Sequence, residues 1–343
     1  MKSRLESIGV HLPGRIQSTR ELTSQVQYKA LLDVERLTGI ANRRVRGESE
    51  DSLTLAVSAA QECLKNSKYS AADLDVIIYA GIFKVLGRSR HVYEPAMSAL
   101  VRKELGSGAK LFFDVSNACT GMLTAVYILD SMIRTGVVKN GLIVSGEPNS
   151  VVVEQAKKEI DGRYDRQYAS LTLGDAGAAA IMDASADAKE GISRAQFYTF
   201  AEFCDLCTVT PSEHNAGWAL HTDMVRLQFE TLRRSAAAIK YSYKAADVDF
   251  NSDFDFVIPH QTSVKGIQTG MMMHMVPGIV RKLPEVLYSV REFGNTSSTT
   301  HFVALNKALK EGKVKAGHRL MLLGYGSGIN IGLVDMTIGS LRV

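Results

Sequence analysis

Four cysteines, at positions 63, 119, 204 and 207, are too few and too unevenly placed to staple a chain of 343 residues. A disulfide framework is therefore excluded, and free thiols fit a reducing compartment. Cys204 and Cys207 are spaced like half of a zinc site, but no second ligand pair stands nearby at matching spacing. Two half-buried strand cysteines are expected there instead of metal. Charge is also scarce: the formal net charge is +4, with no basic block and no basic stretch interleaved with aromatics. Nucleic-acid binding is left without support. No apolar run approaches the ~18 residues of a membrane helix. The first ten residues show neither an apolar core nor a small-residue cleavage pattern, so no signal peptide is expected. The expectation is a cytoplasmic protein with no membrane insertion.

What is present is a long core. Hydrophobic residues make up 45% of the chain, enough for a large domain or two fused halves. Strand-like apolar runs alternate with helical patterns, the mark of an α/β fold. In the first half the patterns predict helices over 52–65 and 119–134 and strands over 75–80, 111–115, 142–146 and 172–182. In the second half they predict helices over 223–241, 262–275 and 298–310 and strands over 254–259, 319–324 and 329–335. No Pro/Ser-rich linker separates the halves, and residues 183–190 form the expected turn between them. The predicted units are 1–183 and 184–343. Residues 149–170 and 205–222 are polar and irregular, of a length often used for binding elements or lids.

The halves repeat one another. Cys119, Gly136 and Gly141 recur as Asn295, Gly312 and Gly317, each 176 residues later, and Asp75-Val-Ile-Ile78 matches Asp255-Phe-Val-Ile258 at an offset of 180. One long period indicates a duplicated unit rather than a solenoid. On this register Cys119 corresponds to Asn295, and His260 ends the strand that mirrors the one containing Ile78.

Cys119 follows a strand and a short turn and opens a helix, where aligned backbone dipoles lower a thiol's pKa. Ala118 and Gly121 leave room for an incoming acyl group. A packed core cysteine is the bland alternative. His260 emerges at a strand end in Pro259-His260-Gln261, where a structural histidine is the alternative. Asn295 cannot attack but can donate or accept hydrogen bonds. A thiol, an imidazole and an amide at related chain ends describe acyl transfer, with the thiol taking the acyl group and the other two stabilising oxyanion or enolate charge. Asp175, between glycines, reads as a turn residue. Met271, Met272, Met273 and Met275 suit either an acyl tunnel or core packing.

Several segments in order resemble the thiolase superfamily, and within it the β-ketoacyl-acyl carrier protein synthase III branch. They are Leu37-Thr-Gly-Ile40 with Arg43 and Arg44, Asp114-Val-Ser-Asn-Ala-Cys119, Leu173-Gly-Asp-Ala-Gly177, Val257-Ile-Pro-His-Gln261, Gly294-Asn-Thr-Ser-Ser298 and Gly324-Tyr-Gly-Ser-Gly328. The resemblance implies a five-layered αβαβα fold, a homodimer, and a Cys119, His260 and Asn295 triad. It also implies that the Gly324–Gly328 loop, through Gly326, helps the Cys119 amide form an oxyanion hole. Acyl-coenzyme A or acyl carrier protein thioesters would be substrates, with no bound cofactor and no metal.

Two departures from that family bear on the subtype. A tryptophan and an arginine that clamp the coenzyme A adenine are replaced by Asp33 and Leu37. The clamp is therefore absent or rebuilt from Arg36, Arg43 or Arg44, which otherwise form a solvated cluster. The segment His91-Val-Tyr-Glu94-Pro95 resembles olefin-pathway enzymes that join two fatty acyl chains head to head. In those the matching glutamate serves the partner subunit as base. The chemistry explains the need: malonyl decarboxylation yields a carbanion without a base, whereas an unactivated thioester must lose its α-proton to a positioned group. A surface glutamate ahead of a helix starting at Pro95 is the alternative. The expected function is a Claisen condensation through acyl-Cys119, non-decarboxylative with Glu94 as base. A malonyl-dependent synthase III, acyl transfer to an oxygen or nitrogen acceptor, and a non-catalytic partner subunit of a heterodimer are the alternatives; the intact Cys119 argues against the last.

Overall fold

The computed structural model describes residues 2–29, 32–245, 252–274 and 283–343. Two five-stranded sheets share one topology. The first runs Ser3–His11, Ala176–Ala184, Asn140–Glu147, Val76–Tyr79, Leu111–Asp114. The second runs Gly191–Phe203, Gly328–Thr337, Arg319–Gly326, Phe256–Pro259, Glu285–Val286. In each sheet neighbouring strands among the first three are antiparallel, and the last two join in parallel.

Helices Gly121–Arg134 and Thr300–Lys310 lie between the sheets, where Met122, Leu123, Val126, Leu129, Phe302 and Leu305 form the central core with inward residues of both. Ser52–Lys65 and Met97–Glu104 cover the outer face of the first sheet, and Met224–Ala245 and Val264–His274 the outer face of the second. That is a five-layered αβαβα sandwich. Helix Ser52–Lys65 follows from its local sequence: Asp51 Oδ1 accepts from the Leu53 and Thr54 amides while Thr54 Oγ1 accepts from the Asp51 amide, a capping box. Its Ala56, Ala59, Ala60 and Cys63 face a sheet stripped of side chains at Gly9, Gly146 and Gly177. A Cβ at any of the three would collide with the helix backbone.

Internal symmetry differs from the sequence register. Ala118 and Ser297 are the two non-glycine residues with positive φ, 45° and 55°, among the described residues. Each opens a short 3-10 turn, Ala118–Thr120 and Ser297–Thr299, leading into the central helices. The structural counterpart of Cys119 is thus Ser298, and Asn295 matches Ser116. The offset is 179 residues at the helix starts and falls to 176 at Gly136 and Gly312, because the first helix has 14 residues and the second 11. The two glycines anchored the sequence comparison, and the length difference displaced everything before them.

The irregular stretches also acquire structure. Residues 149–170 contain the helix Ser150–Glu159, and 205–222 form the hairpin Cys207–Pro211 with Trp218–Thr222. Strands Ser3–His11 and Gly191–Phe203 carry no clear apolar alternation and were not among the predicted elements. Cys204 lies in an exposed 3-10 turn instead of a strand, and Cys207 is half-buried at a strand start. Among the described residues no helix is long and apolar enough to cross a membrane.

Candidate active site

The Cys119 turn is set by its neighbours. Thr120 Oγ1 donates to Asn117 O at 2.7 Å and the Thr120 amide donates to the same carbonyl at 3.1 Å, closing the turn before the helix begins. The turn lies against the end of strand Arg319–Gly326 at two glycines. A Cβ on Gly326 would sit 2.9 Å from Thr120 Oγ1, and one on Gly324 would sit 2.7 Å from Leu123 Cδ1. Gly326 therefore borders the Cys119 turn because nothing larger fits.

His260 follows the parallel strand Phe256–Pro259, and its amide donates to Leu323 O at 2.8 Å. The same bond recurs in the first half between the Ala80 amide and Val144 O at 2.9 Å. The imidazole is buried, and its Nδ1 has no hydrogen-bond partner among the described residues. His301 lies 6.0 Å away between ring centroids, its Nε2 3.1 Å from Leu323 O. Burial, with the His301 charge as a smaller contribution, lowers the His260 pKa to about 3. Burial lowers that of His301 to about 4. His260 is a neutral imidazole at physiological pH.

Asn295 is fixed by the other half of the chain. Its amide donates to Thr172 O at 2.9 Å, its carbonyl accepts from the Gly174 amide at 3.0 Å, and its Oδ1 accepts from the Ser297 amide at 2.9 Å. With Oδ1 occupied, the Asn295 side chain is left to present Nδ2. The turn Ser297–Thr299 that follows Asn295 packs on the Ala118–Thr120 turn that carries Cys119. The Cys119 turn thus meets the Gly326 strand end and the turn that follows Asn295, and His260 leaves the strand beside Arg319–Gly326.

The resting Cys119 is a thiol, not the thiolate that a helix start alone would favour. Burial pushes the Cys119 thiol well up, and the nearby Cys207 and Glu147 add to it. A helix terminus contributes about 0.3–1 kcal/mol, whereas burial shifts a group by several pKa units at about 1.4 kcal/mol each. Desolvation wins. The site can take the proton from a neutral thiol onto a neutral imidazole as a thioester arrives, and can offer Asn295 Nδ2 and backbone amides to a developing anion.

Other expected residues lie elsewhere. Arg43 is buried, not substrate-facing: its guanidinium donates to Leu171 O at 2.5 Å, Leu173 O at 3.2 Å and Thr19 Oγ1 at 2.6 Å. It braces the loop that holds Asn295. Arg44 is half-buried, donating to Pro13 O at 3.2 Å with its guanidinium 6.0 Å from the Phe293 ring centre. Arg36 is exposed, on the helix Val34–Thr38 that Asp33 caps, and Leu37 is exposed beside it. Asp175 is a turn residue, accepting from the Arg46 and Ser150 amides at 2.7 Å each. Met271 packs in the outer core, Met272 and Met273 face solvent, and Met275 lies outside the described residues.

Glu94 is exposed, with no hydrogen bond or ion pair among the described residues. The helix after it starts at Met97, not Pro95, and its first amides are satisfied by Asp114, which accepts from Met97 N at 3.0 Å and Ser98 N at 2.9 Å. Asp114 ends strand Leu111–Asp114, the edge of the first sheet. Glu94 therefore stands near an unpaired edge and is spared any capping duty.

Three residues near the site escaped the sequence reading. His301 is hidden within an ordinary helical pattern. Cys207 is expected as a half-buried strand cysteine, with no signal that places it beside Cys119. Glu147, a fully buried carboxyl, did carry a signal: it is the one charged residue in the strand Asn140–Glu147.

Residues 113–200 match the family model of 3-oxoacyl-[acyl-carrier-protein] synthase III, and residues 246–337 match the model of its C-terminal part. Together these cover just over half of the chain. The β-ketoacyl-[acyl-carrier-protein] synthase III of Pasteurella multocida is 26% identical over 340 residues, covering 97% of this chain and 98% of the relative. That of Thioalkalivibrio sulfidiphilus is 29% identical over 340 residues, covering 96% and 97%. The crystal structure of the Aquifex aeolicus 3-oxoacyl-[acyl-carrier-protein] synthase III superposes with TM-score 0.81 at 26% identity, covering 98% of this chain and all of the other. Xanthomonas campestris OleA, in a structure with bound lauric acid and lauroyl-CoA, superposes with TM-score 0.85 at 20% identity, covering 98% and 99%, a likeness of fold. With matching models, full-length relatives and a shared five-layered sandwich, the chain belongs to the 3-oxoacyl-[acyl-carrier-protein] synthase III family of the thiolase superfamily and is a condensing acyltransferase.

Proposed function

We propose that the protein joins two acyl thioesters by a non-decarboxylative Claisen condensation, with Glu94 of one subunit acting in the site of the other. The Cys119 sulfur attacks the first thioester carbonyl while His260 takes the thiol proton and returns it to the departing thiol. The second thioester loses its α-proton to the Glu94 carboxylate, and His260 and Asn295 Nδ2 stabilise the enolate oxygen. The enolate carbon attacks the acyl-Cys119 carbonyl and expels the Cys119 thiolate, which regains a proton from Glu94. A β-ketoacyl thioester leaves.

The observation that carries this reading is the place of Glu94. Its carboxylate is exposed and has no partner among the described residues, near the edge strand Leu111–Asp114, where Leu111 and Phe112 are each 43% exposed and Tyr93 is 79% exposed. An open edge with apolar side chains is a template for pairing with a second copy, and a homodimer formed there would carry Glu94 towards the partner. A carboxylate also repels a malonyl carboxylate in the same pocket. The second reading, a malonyl-dependent synthase, is favoured by the higher identity to the synthase III relatives than to OleA.

Product analysis with acyl-CoA alone, and with acyl-CoA plus a malonyl thioester, separates the two. The subunit assignment is tested by co-expressing Cys119→Ala and Glu94→Ala chains, each expected to be inactive alone. Heterodimers should regain about half the activity, since one of their two sites keeps both groups. No recovery would place Glu94 within its own subunit's site, and full activity of Glu94→Ala alone would refute the base assignment.

A further inference from the structure

We propose that Glu147 is a positioning residue for the condensation, gripping the Asn295 turn through Ser298 and setting the electrostatic field at the Cys119 sulfur. The proposal rests on the roles given above to Cys119 and Asn295.

The duplication places two equivalent helix-entry turns against two equivalent strand ends, and the strand ends differ. The Cys119 turn faces Gly324 and Gly326. The corresponding residues of the first sheet are Ser145 and Glu147, and they face Ser298, the counterpart of Cys119. Ser298 Oγ lies 2.9 Å from Ser145 Oγ and donates a short hydrogen bond to Glu147 Oε1. One half-site is kept open by glycine and holds the thiol. The other is filled by a carboxyl.

An unpaired carboxyl is costly to bury, and here it is compensated by donors. Besides Ser298, Glu147 accepts from the Ile82 amide at 2.9 Å, the Phe83 amide at 3.4 Å and Ser145 Oγ at 3.3 Å. Two residues on, Asn149 Oδ1 accepts from Ser297 Oγ at 2.7 Å and Asn149 Nδ2 donates to Gly174 O at 2.7 Å. Glu147 and Asn149 thus hold the adjacent residues Ser298 and Ser297, and the Ser297 amide holds Asn295 Oδ1. This chain of contacts aims Asn295 Nδ2.

The field follows from packing, since the Ser297–Thr299 turn that Glu147 grips lies against the Ala118–Thr120 turn that carries Cys119. Burial raises the Glu147 pKa to about 7, so its charge changes within the working range, and that charge is among the influences raising the Cys119 thiol. Cys207 is the other titratable neighbour acting on Cys119, Tyr79 is coupled to Glu147, and His260 and His301 face each other at the adjoining strand end.

Two variants of the full-length protein test this. Glu147→Gln keeps the shape and the acceptor but removes the charge. Iodoacetamide labelling of ligand-free protein at pH 8, read on the Cys119 peptide by mass spectrometry, should be about three to ten times faster than in the wild type, because loss of a nearby anion favours the thiolate. Ser298→Ala keeps the carboxyl and cuts its grip. It should load acyl groups on Cys119 at near the wild-type rate yet form β-keto product at least about ten-fold more slowly. Unchanged labelling in Glu147→Gln, or equal losses of loading and condensation in Ser298→Ala, would overturn the proposal. The labelling arm uses no acyl substrate, so its failure leaves the condensation reading standing. Wild-type protein that yields no β-keto product would refute that reading without touching the labelling result.

Discussion

Replacing Gly326 by alanine probes how the Cys119 turn is held. The added Cβ would lie 2.9 Å from Thr120 Oγ1, 3.2 Å from Thr120 Cγ2 and 3.3 Å from Asn117 O. The first distance is too short for any carbon–oxygen contact, so something must move. Thr120 cannot simply rotate away, since its hydroxyl is tied to Asn117 O at 2.7 Å and its side chain is wholly buried. The turn must shift as a unit and carry the Cys119 sulfur with it. Overpacking of this size costs about 1–3 kcal/mol of stability, and a displacement approaching ~1 Å lowers a reaction that depends on alignment about 100-fold. Single-turnover acyl loading, followed by intact mass, should therefore slow about 100-fold while the urea midpoint falls only modestly. Gly324→Ala is the milder comparison: its nearest contact, 2.7 Å, is the end of the Leu123 side chain, with Thr120 Cγ2 at 3.1 Å and no backbone atom closer, so its loading should fall less. Loading at the wild-type rate in Gly326→Ala would show that the turn is not braced by this strand end.

Two further outcomes follow from buried charge. Arg43→Leu strips the donor from two carbonyls and a hydroxyl, Leu171 O, Leu173 O and Thr19 Oγ1, and should destabilise the fold by about 3 kcal/mol or more, read as a lower urea midpoint; a raised KM for acyl-CoA at an unchanged midpoint would return Arg43 to substrate binding. His301 has its pKa lowered by burial to about 4, so between that value and the ordinary ~6.5 the unfolded chain binds a proton the folded one does not, and stability contributed by the neutral ring is lost as pH falls through this window. Glu147 and Asp175, raised by burial to about 7 and about 6, act in the opposite direction, so the readout is a difference: the urea midpoint of His301→Asn should decline less than that of the wild type between pH 6.5 and 4.5, and parallel declines would refute the assignment.

The fold was legible where burial demanded apolar runs and hidden where polar groups were buried in pairs. Strands Val76–Tyr79, Asn140–Glu147 and Arg319–Gly326 are nearly continuous apolar segments because both faces are covered. Strand Ser3–His11 is just as deeply covered but includes Ser3, Glu6 and Ser7. Each has a partner elsewhere: Ser3 donates to Asp130 Oδ1 at 2.6 Å, Glu6 accepts from the Lys68 amide at 3.0 Å, and Ser7 Oγ lies 3.3 Å from Cys63 Sγ. No local pattern announces partners 56 to 127 residues away. Arg43 misled for the same reason. An arginine beside another arginine reads as surface, yet its three acceptors are carbonyl and hydroxyl oxygens that sequence does not reveal.

The site shows how far a repeat can be trusted. Gly136 and Gly312 end their helices in the left-handed conformation, so they align well by sequence, but they fix only the ends of helices that differ by three residues. Aligned on the helix starts, the nucleophile's counterpart is a serine, and Asn295 lies three residues earlier, bridged to Leu173. The two halves then diverge where chemistry needs them to. At the strand end facing the thiol, glycine leaves space for a backbone turn and an acyl group. At the equivalent end in the other half, Ser145 and Glu147 fill that space and tie down the turn that carries the amide. Closing one end with a hydrogen-bonded carboxyl makes it the rigid support of the other, which is why the buried acid belongs beside the site and not at random in the core.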